Sequence, residues 1–221
     1  MSSAIVIDTA GPVVGVAAFE GDVCVWSAQE RIVQGADGWL LPAIADGLGR
    51  IGRLQKIAVG VGPGAFTGVR VGVAAALGLA VSTGCRVIPV SSLALRAAGF
   101  PGHGRLIVAL DARKGNVYSA EFDTRGFEPA GLVEARDLSP AEAFVGDGVV
   151  AGEGAWVYRE ALPAGLGLAE GATVCPVESA GVFLGREGVD AGGVQLAYLR
   201  GEDQVVTPQR RSTGVGGPGK L

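Results

Sequence analysis

Apolar runs of strand length alternate with longer apolar stretches of helical spacing along the N-terminal half of this chain. Ala4–Ile7 is apolar and closes on Asp8-Thr9. Val13–Phe19 and Val23–Ser27 flank Glu20-Gly21-Asp22, which predicts a hairpin. Leu40, Leu41, Ile44 and Leu48 recur at helical spacing within 36–50, with Asp37 as N-cap. A strand over Ile57–Val61 follows, then a turn over Gly62–Gly68 and a helix over Thr67–Ser82 capped by Thr67. Arg86–Val90 reads as a strand and Ser92–Ala98 as a helix.

The pattern then restarts. Arg105–Leu110 is an apolar strand ended by Asp111, followed by the turn Arg113-Lys114-Gly115 and a strand over Asn116–Phe122. IVIDTA at Ile5 and VALDAR at Val108 match in form: a buried strand, an aspartate, a turn and a partner strand. The offset of about a hundred residues is far longer than a solenoid repeat and predicts two related α/β halves. The expected division is a first lobe over 1–98, a smaller glycine-rich lobe over 99–193, a return segment over 194–206 and a disordered tail over 207–221. In the second lobe, 146–154 and 163–171 read as glycine-rich loops, and only 178–187 reads as a helix.

Composition narrows the function classes. The 221 residues carry a net charge of −4 with no long basic run, a poor footprint for holding nucleic acid alone. Cys24, Cys85 and Cys175 are odd in number and widely spaced, so neither a disulfide framework nor a metal spacing is visible, and a cytoplasmic home is expected. The apolar run Val71–Val81 is shorter than the roughly 20 residues a bilayer span needs, so no membrane partner is expected.

Asp8, with Thr9 beside it, and Asp111 sit where two-lobed α/β folds bind ligands. They could hold a metal-bound phosphate or activate water; aspartates in such places also commonly accept turn N–H groups. Gly62 and Gly64 could cradle an anion, but Val69 stands where a phosphate-loop lysine would be. Glycine serves a sharp strand-to-helix reversal equally well. The helix over Thr67–Ser82 has Arg70 as its one charge, so it is internal or covered by a partner. Gly68, Gly72, Ala76 and Ala80 form a small-residue ridge that would admit a second helix. On the partner reading, Gly72→Leu or Ala76→Arg would abolish pairing and leave the monomer folded. His103 is the one histidine, so neither a zinc site nor a Ser-His-Asp arrangement is expected.

Five motifs carry a family resemblance: IDTA at Ile7, GPGAFTGVRVG at Gly62, SSLA at Ser91, LDARKGNVY at Leu110 and YLR at Tyr198. They resemble the TsaB (YeaZ) family of tRNA threonylcarbamoyladenosine biosynthesis proteins, once filed with M22-type peptidases. The resemblance implies the duplicated, two-lobed actin/hexokinase/Hsp70-like (ASKHA) α/β fold. It implies a non-catalytic cytoplasmic subunit, without cofactor or metal, that pairs with TsaD and works with the ATPase TsaE. The product would be N6-threonylcarbamoyladenosine at position 37 of tRNAs reading ANN codons; the acidic charge leaves tRNA to be met only through the complex, and the uncovered apolar helix would allow either a monomer or a homodimer when the chain is alone. The implied interface comprises Leu41, Ile44, Ala45, Leu48, Gly68, Val69, Gly72, Val73, Ala76 and Ala80. The family often has serine where Ala65 stands and a histidine ahead of Leu40-Leu41-Pro42, which this chain lacks. The competing readings are an ATP-binding phosphotransferase or ATPase using Asp8 and Asp111, and, disfavoured, an M22-type peptidase.

Overall fold

The computed structural model describes residues 2–32 and 36–199. The tail predicted over 207–221 and the end of the return segment lie outside them.

The first lobe is built on β1 (Ser3–Asp8), β2 (Val13–Glu20), β3 (Val23–Arg31), β4 (Leu54–Gly60) and β5 (Arg86–Val90). Helix α1 (Ala36–Leu48) precedes β4, α2 (Phe66–Thr83) joins β4 to β5, and α3 (Ser92–Ala97) follows β5. The sheet order is β3-β2-β1-β4-β5. The first three strands pair antiparallel, and β1, β4 and β5 pair parallel. β1 is buried at every position, as a central strand covered on both faces must be.

The second lobe repeats this plan with β6 (Leu106–Arg113), β7 (Asn116–Asp123), β8 (Ala130–Leu138), β9 (Gly148–Ala151) and β10 (Leu166–Leu168). Read from its other end, the order is β8-β7-β6-β9-β10, with the same antiparallel and parallel pairings. Its helices are short: α4 (Pro140–Ala143) stands where α1 does, and α5 (Glu153–Val157) where α2 does. Side-chain alternation along β6 divides its faces. Leu106, Val108 and Leu110 join the first lobe's core, whereas Ile107 and Ala109 pack in a separate core with Phe144 and Ala155. The sheets are therefore welded by one apolar core, with α3 packed on β6 and β7.

Several sequence expectations need correction. The stretches read as loops over 146–154 and 163–171 contain β9 and β10. The helix expected over 178–187 is a 3-10 segment, Val177–Phe183. Its Gly181 lies so close to Phe19 and the Asp22 carbonyl that a side chain would press on both. That segment packs on β1, β2 and β3, so the chain is back on the first lobe well before residue 194. α2 begins at Phe66 with Ala65 as N-cap, so Thr67 lies inside the helix and caps nothing. α1 begins at Ala36, so Asp37 is likewise within the helix. Asp111 lies inside β6 because the antiparallel pairing with β7 carries the strand on to Arg113.

Candidate functional site

The aspartate that ends β1 is fully enclosed. Asp8 is 0% exposed, and its Oδ1 accepts from the Ala10 amide at 3.3 Å and the Ser92 hydroxyl at 3.0 Å. Its Oδ2 accepts from Arg96 Nε at 3.1 Å. Ser92 Oγ in turn accepts from the Gly62 amide at 3.2 Å, tying α3 to the glycine turn. The carboxylate is thus surrounded by donors from its own chain and holds no face toward solvent. An ATPase reading would need this oxygen pair for a metal-bound phosphate, and a guanidinium already occupies it.

Arg96 is the residue that sequence reasoning missed. It is 0% exposed, and it donates to the carbonyls of Val13 (3.0 Å) and Val174 (2.9 Å) as well as to Asp8. Its Nη1 lies 3.9 Å from Glu153 Oε2 of the second lobe. Burial opposes the charge on Arg96, but the acidic groups Cys175, Asp8 and Glu153 outweigh it and raise its pKa. Burial pushes the Cys175 thiol well up, with Arg96 pulling the other way. The available signal was a lone arginine inside the apolar run Leu93–Ala98, since a charge in such a run must be paired when buried.

Asp111, the topological counterpart of Asp8, is differently placed. It accepts from the Arg113 amide at 2.8 Å and from the Tyr158 hydroxyl at 3.4 Å, with Arg113 Nη1 3.5 Å away. It closes the turn that Arg113, Lys114 and Gly115 form with positive φ. Asp8 and Asp111 are each held by their own local partners.

The glycine turn is packed against the end of β1. A side chain on Gly64 would strike Ala10, one on Gly68 the Thr9 carbonyl, and one on Gly72 the Thr9 hydroxyl. Thr9 Oγ1 already donates to the Gly68 carbonyl at 2.7 Å. Gly62 has φ 99° and Ala197 lies directly over it, so glycine is needed twice at that position. A cavity of about 610 Å³ opens beside the turn, lined by Val61, Gly62, Pro63, Phe122, Leu132 and Glu134 among others. Glu134 is the one charged residue in its lining, which is hostile to a phosphate group. Among the described residues no group of three or more His, Cys, Asp or Glu side chains is gathered as a metal site.

The first-lobe helices have two faces. On α2, Val69, Gly72, Val73, Ala76 and Ala80 are buried inside the chain. On α1, Leu40, Ala43, Ile44 and Gly47 are buried. The small-residue ridge therefore faces the chain's own β1 end, which corrects the expectation that Gly72→Leu or Ala76→Arg would spare the monomer. The outward face instead comprises Leu41 and Ala45 on α1, with Leu48 half-buried, and Ala74, Gly78 and Val81 on α2. Leu41 is 59% exposed and Val81 77%. α2 is long and apolar enough, by length and composition, to cross a membrane, yet one face is seated on β1, β4 and β5. At its start Arg70 lies over the Phe66 ring at 3.6 Å and donates to the Tyr198 hydroxyl at 3.0 Å, fixing the returning chain to the helix.

Two five-stranded sheets of one order, each with an aspartate on its central strand, define the duplicated actin/hexokinase/Hsp70-like class of two-lobed α/β proteins. Comparison with known proteins narrows this. The family described as TsaD, tRNA N6-adenosine threonylcarbamoyltransferase, matches residues 40–140. The tRNA threonylcarbamoyladenosine biosynthesis protein TsaB of Escherichia coli is 41% identical over 90 residues, 38% of this chain and 39% of that protein. TsaB of Bacillus subtilis is 42% identical over 82 residues, 37% of this chain and 34% of that protein. The match thus spans well under half the length of these curated relatives. The solved structure of YeaZ from Pseudomonas aeruginosa superposes with a TM-score of 0.80 at 29% identity, covering 90% of this chain and all of that one. These likenesses in sequence and in fold support the TsaB (YeaZ) family for this chain.

Proposed function

We propose that this chain is a non-catalytic scaffold in the cytoplasmic assembly that makes N6-threonylcarbamoyladenosine at position 37 of tRNAs reading ANN codons. The observation that carries the reading is the pairing of an occupied Asp8 with an unoccupied helical face. The carboxylate best placed for phosphate chemistry is neutralised by Arg96 within a closed core. The exposed apolar residues Leu41, Ala45, Ala74 and Val81, by contrast, lie on two helices that touch each other. Such a surface is stabilised by a partner presenting helices of its own. The match to the TsaD family supports a partner built on the same fold, since homologous lobes offer complementary helix pairs. TsaD is therefore the proposed partner, with TsaE joining the pair and tRNA met only through the complex. Binding energy would hold the partner in its competent state, a shift of population rather than a chemical step.

The test is co-expression with TsaD of the same organism, size-exclusion chromatography and a tRNA-modification assay on the fractions with TsaE present. A heterodimer that modifies tRNA only when this chain is included is the expected result. ATP hydrolysis by the isolated chain, abolished by Asp8→Asn, with no complex formed, would overturn it in favour of the phosphotransferase reading.

A further inference from the structure

We propose that Glu153, Asp8 and Arg96 form a proton-held latch between the lobes, closed while the cluster keeps a proton on Glu153 and loosened when that carboxyl ionises. The proposal does not depend on the partner reading. Arg96 is anchored to the first lobe through Asp8 and the Val13 carbonyl, and to the returning chain through the Val174 carbonyl. Glu153, the first residue of α5, is the second lobe's charged contribution to this cluster, 3.9 Å from Arg96 Nη1. The three side chains are 0%, 0% and 4% exposed, so water reaches none of them appreciably.

Charge counting gives the mechanism. One guanidinium faces two carboxyl groups. With both ionised, the enclosed cluster carries an uncompensated negative charge, which is costly in a dry interior. With one proton on Glu153 it is neutral. Glu153 Oε2 is also buried without a hydrogen-bond partner, so its ionised form is under-solvated. Burial raises the Glu153 pKa, Arg96 offsets part of that, and Asp8 and Asp111 add to the rise. The other groups facing the cluster do not supply a counter-charge. Cys175, with Sγ 3.7 Å from Asp8 Oδ2, is held as the neutral thiol, and Asp111 is engaged by Arg113 and Tyr158.

Because the closed form holds this proton more tightly than an opened or unfolded form, the latch is fully effective below the ordinary glutamate pKa. Its contribution falls as pH rises from there through the raised value. Gly11 completes the enclosure: a side chain there would strike the Glu153 carboxyl.

Cys175 lies inside the latch and Cys85 is buried in the first lobe outside it, so the two thiols report local and global opening separately. The folded full chain is alkylated from about pH 5 to about pH 9, the range documented for buried glutamates. Labelling is read per cysteine by peptide mass and divided by the rate in the unfolded chain. The expected result is that normalised Cys175 labelling climbs, by up to about tenfold per pH unit between the ordinary glutamate pKa and the raised one, and levels off above it, while Cys85 stays flat. In Glu153→Gln, which mimics the protonated carboxyl, the Cys175 profile also stays flat. A wild-type Cys175 profile that is flat, or that climbs together with Cys85, overturns the latch even if the variant does not fold. An equal climb in Glu153→Gln overturns it as well.

Discussion

The two lobes share a sheet and differ in what is attached to it. The first carries α1 and α2, 13 and 18 residues long, where the second carries α4 and α5, 4 and 5 residues long. The sheet is what the fold needs to close a core, since both lobes retain it in the same order. The long helices exceed that need. Their inner faces cover the first sheet and their outer faces leave apolar residues in water, a cost that a partner's burial would offset. The aspartates diverge in the same way. Asp8 lies in the weld between lobes beneath α3, whereas Asp111 sits at the rim and closes a turn. Duplication thus leaves one lobe with long helices over its sheet and the other with short ones, and on the proposed function the first is the presenting surface.

Removing the buried charge partner separates the lobes most sharply. Arg96→Met leaves Asp8 uncompensated in the core and is expected to cost about 3–5 kcal/mol in urea unfolding. The analogous change in the second lobe, Arg105→Met, removes a pair with Glu121 whose side chains are 29% and 19% exposed. It should cost about 1 kcal/mol or less. Equal costs would contradict the contrast between a welded and a peripheral ion pair. A smaller effect distinguishes the glycines. Gly72→Ala drives a methyl group into Thr9 and should destabilise by about 1–3 kcal/mol. Gly167→Ala, on β10, meets open space and should stay within about 0.5 kcal/mol of wild type by the same measurement.

Much of the first lobe was legible because its apolar periods are long and strong. β5 matches its expected span, and α1, α2 and α3 lie within a few residues of theirs. The duplication was legible from two similar strand-aspartate motifs. The second lobe was harder. β8 is an edge strand with few β-branched residues, and β9 and β10 are four and three residues long between glycines. Their strand character comes from pairing, β8 with β7, β9 with β6 and β10 with β9, a tertiary effect that local propensity does not carry. The site divides likewise. The glycines and aspartates were visible as residue types, but the side each helix turns inward was not. An almost wholly apolar helix has no polar stripe to orient it, so the ridge from Gly68 to Ala80 could be read as facing either way. Arg96 and Glu153 lie 57 residues apart and meet only through the packing of the two lobes.

The presenting role proposed for the first lobe is tested most directly by titrating TsaD with three charge insertions at exposed positions: Leu41→Arg on α1, Val81→Arg on α2 and Leu132→Arg on β8. All three should fold with unchanged midpoints, because each side chain points to solvent. The account predicts that the first two weaken pairing by more than about tenfold and that Leu132→Arg leaves it intact. Pairing that survives both helix variants, or is lost with Leu132→Arg alone, would contradict it.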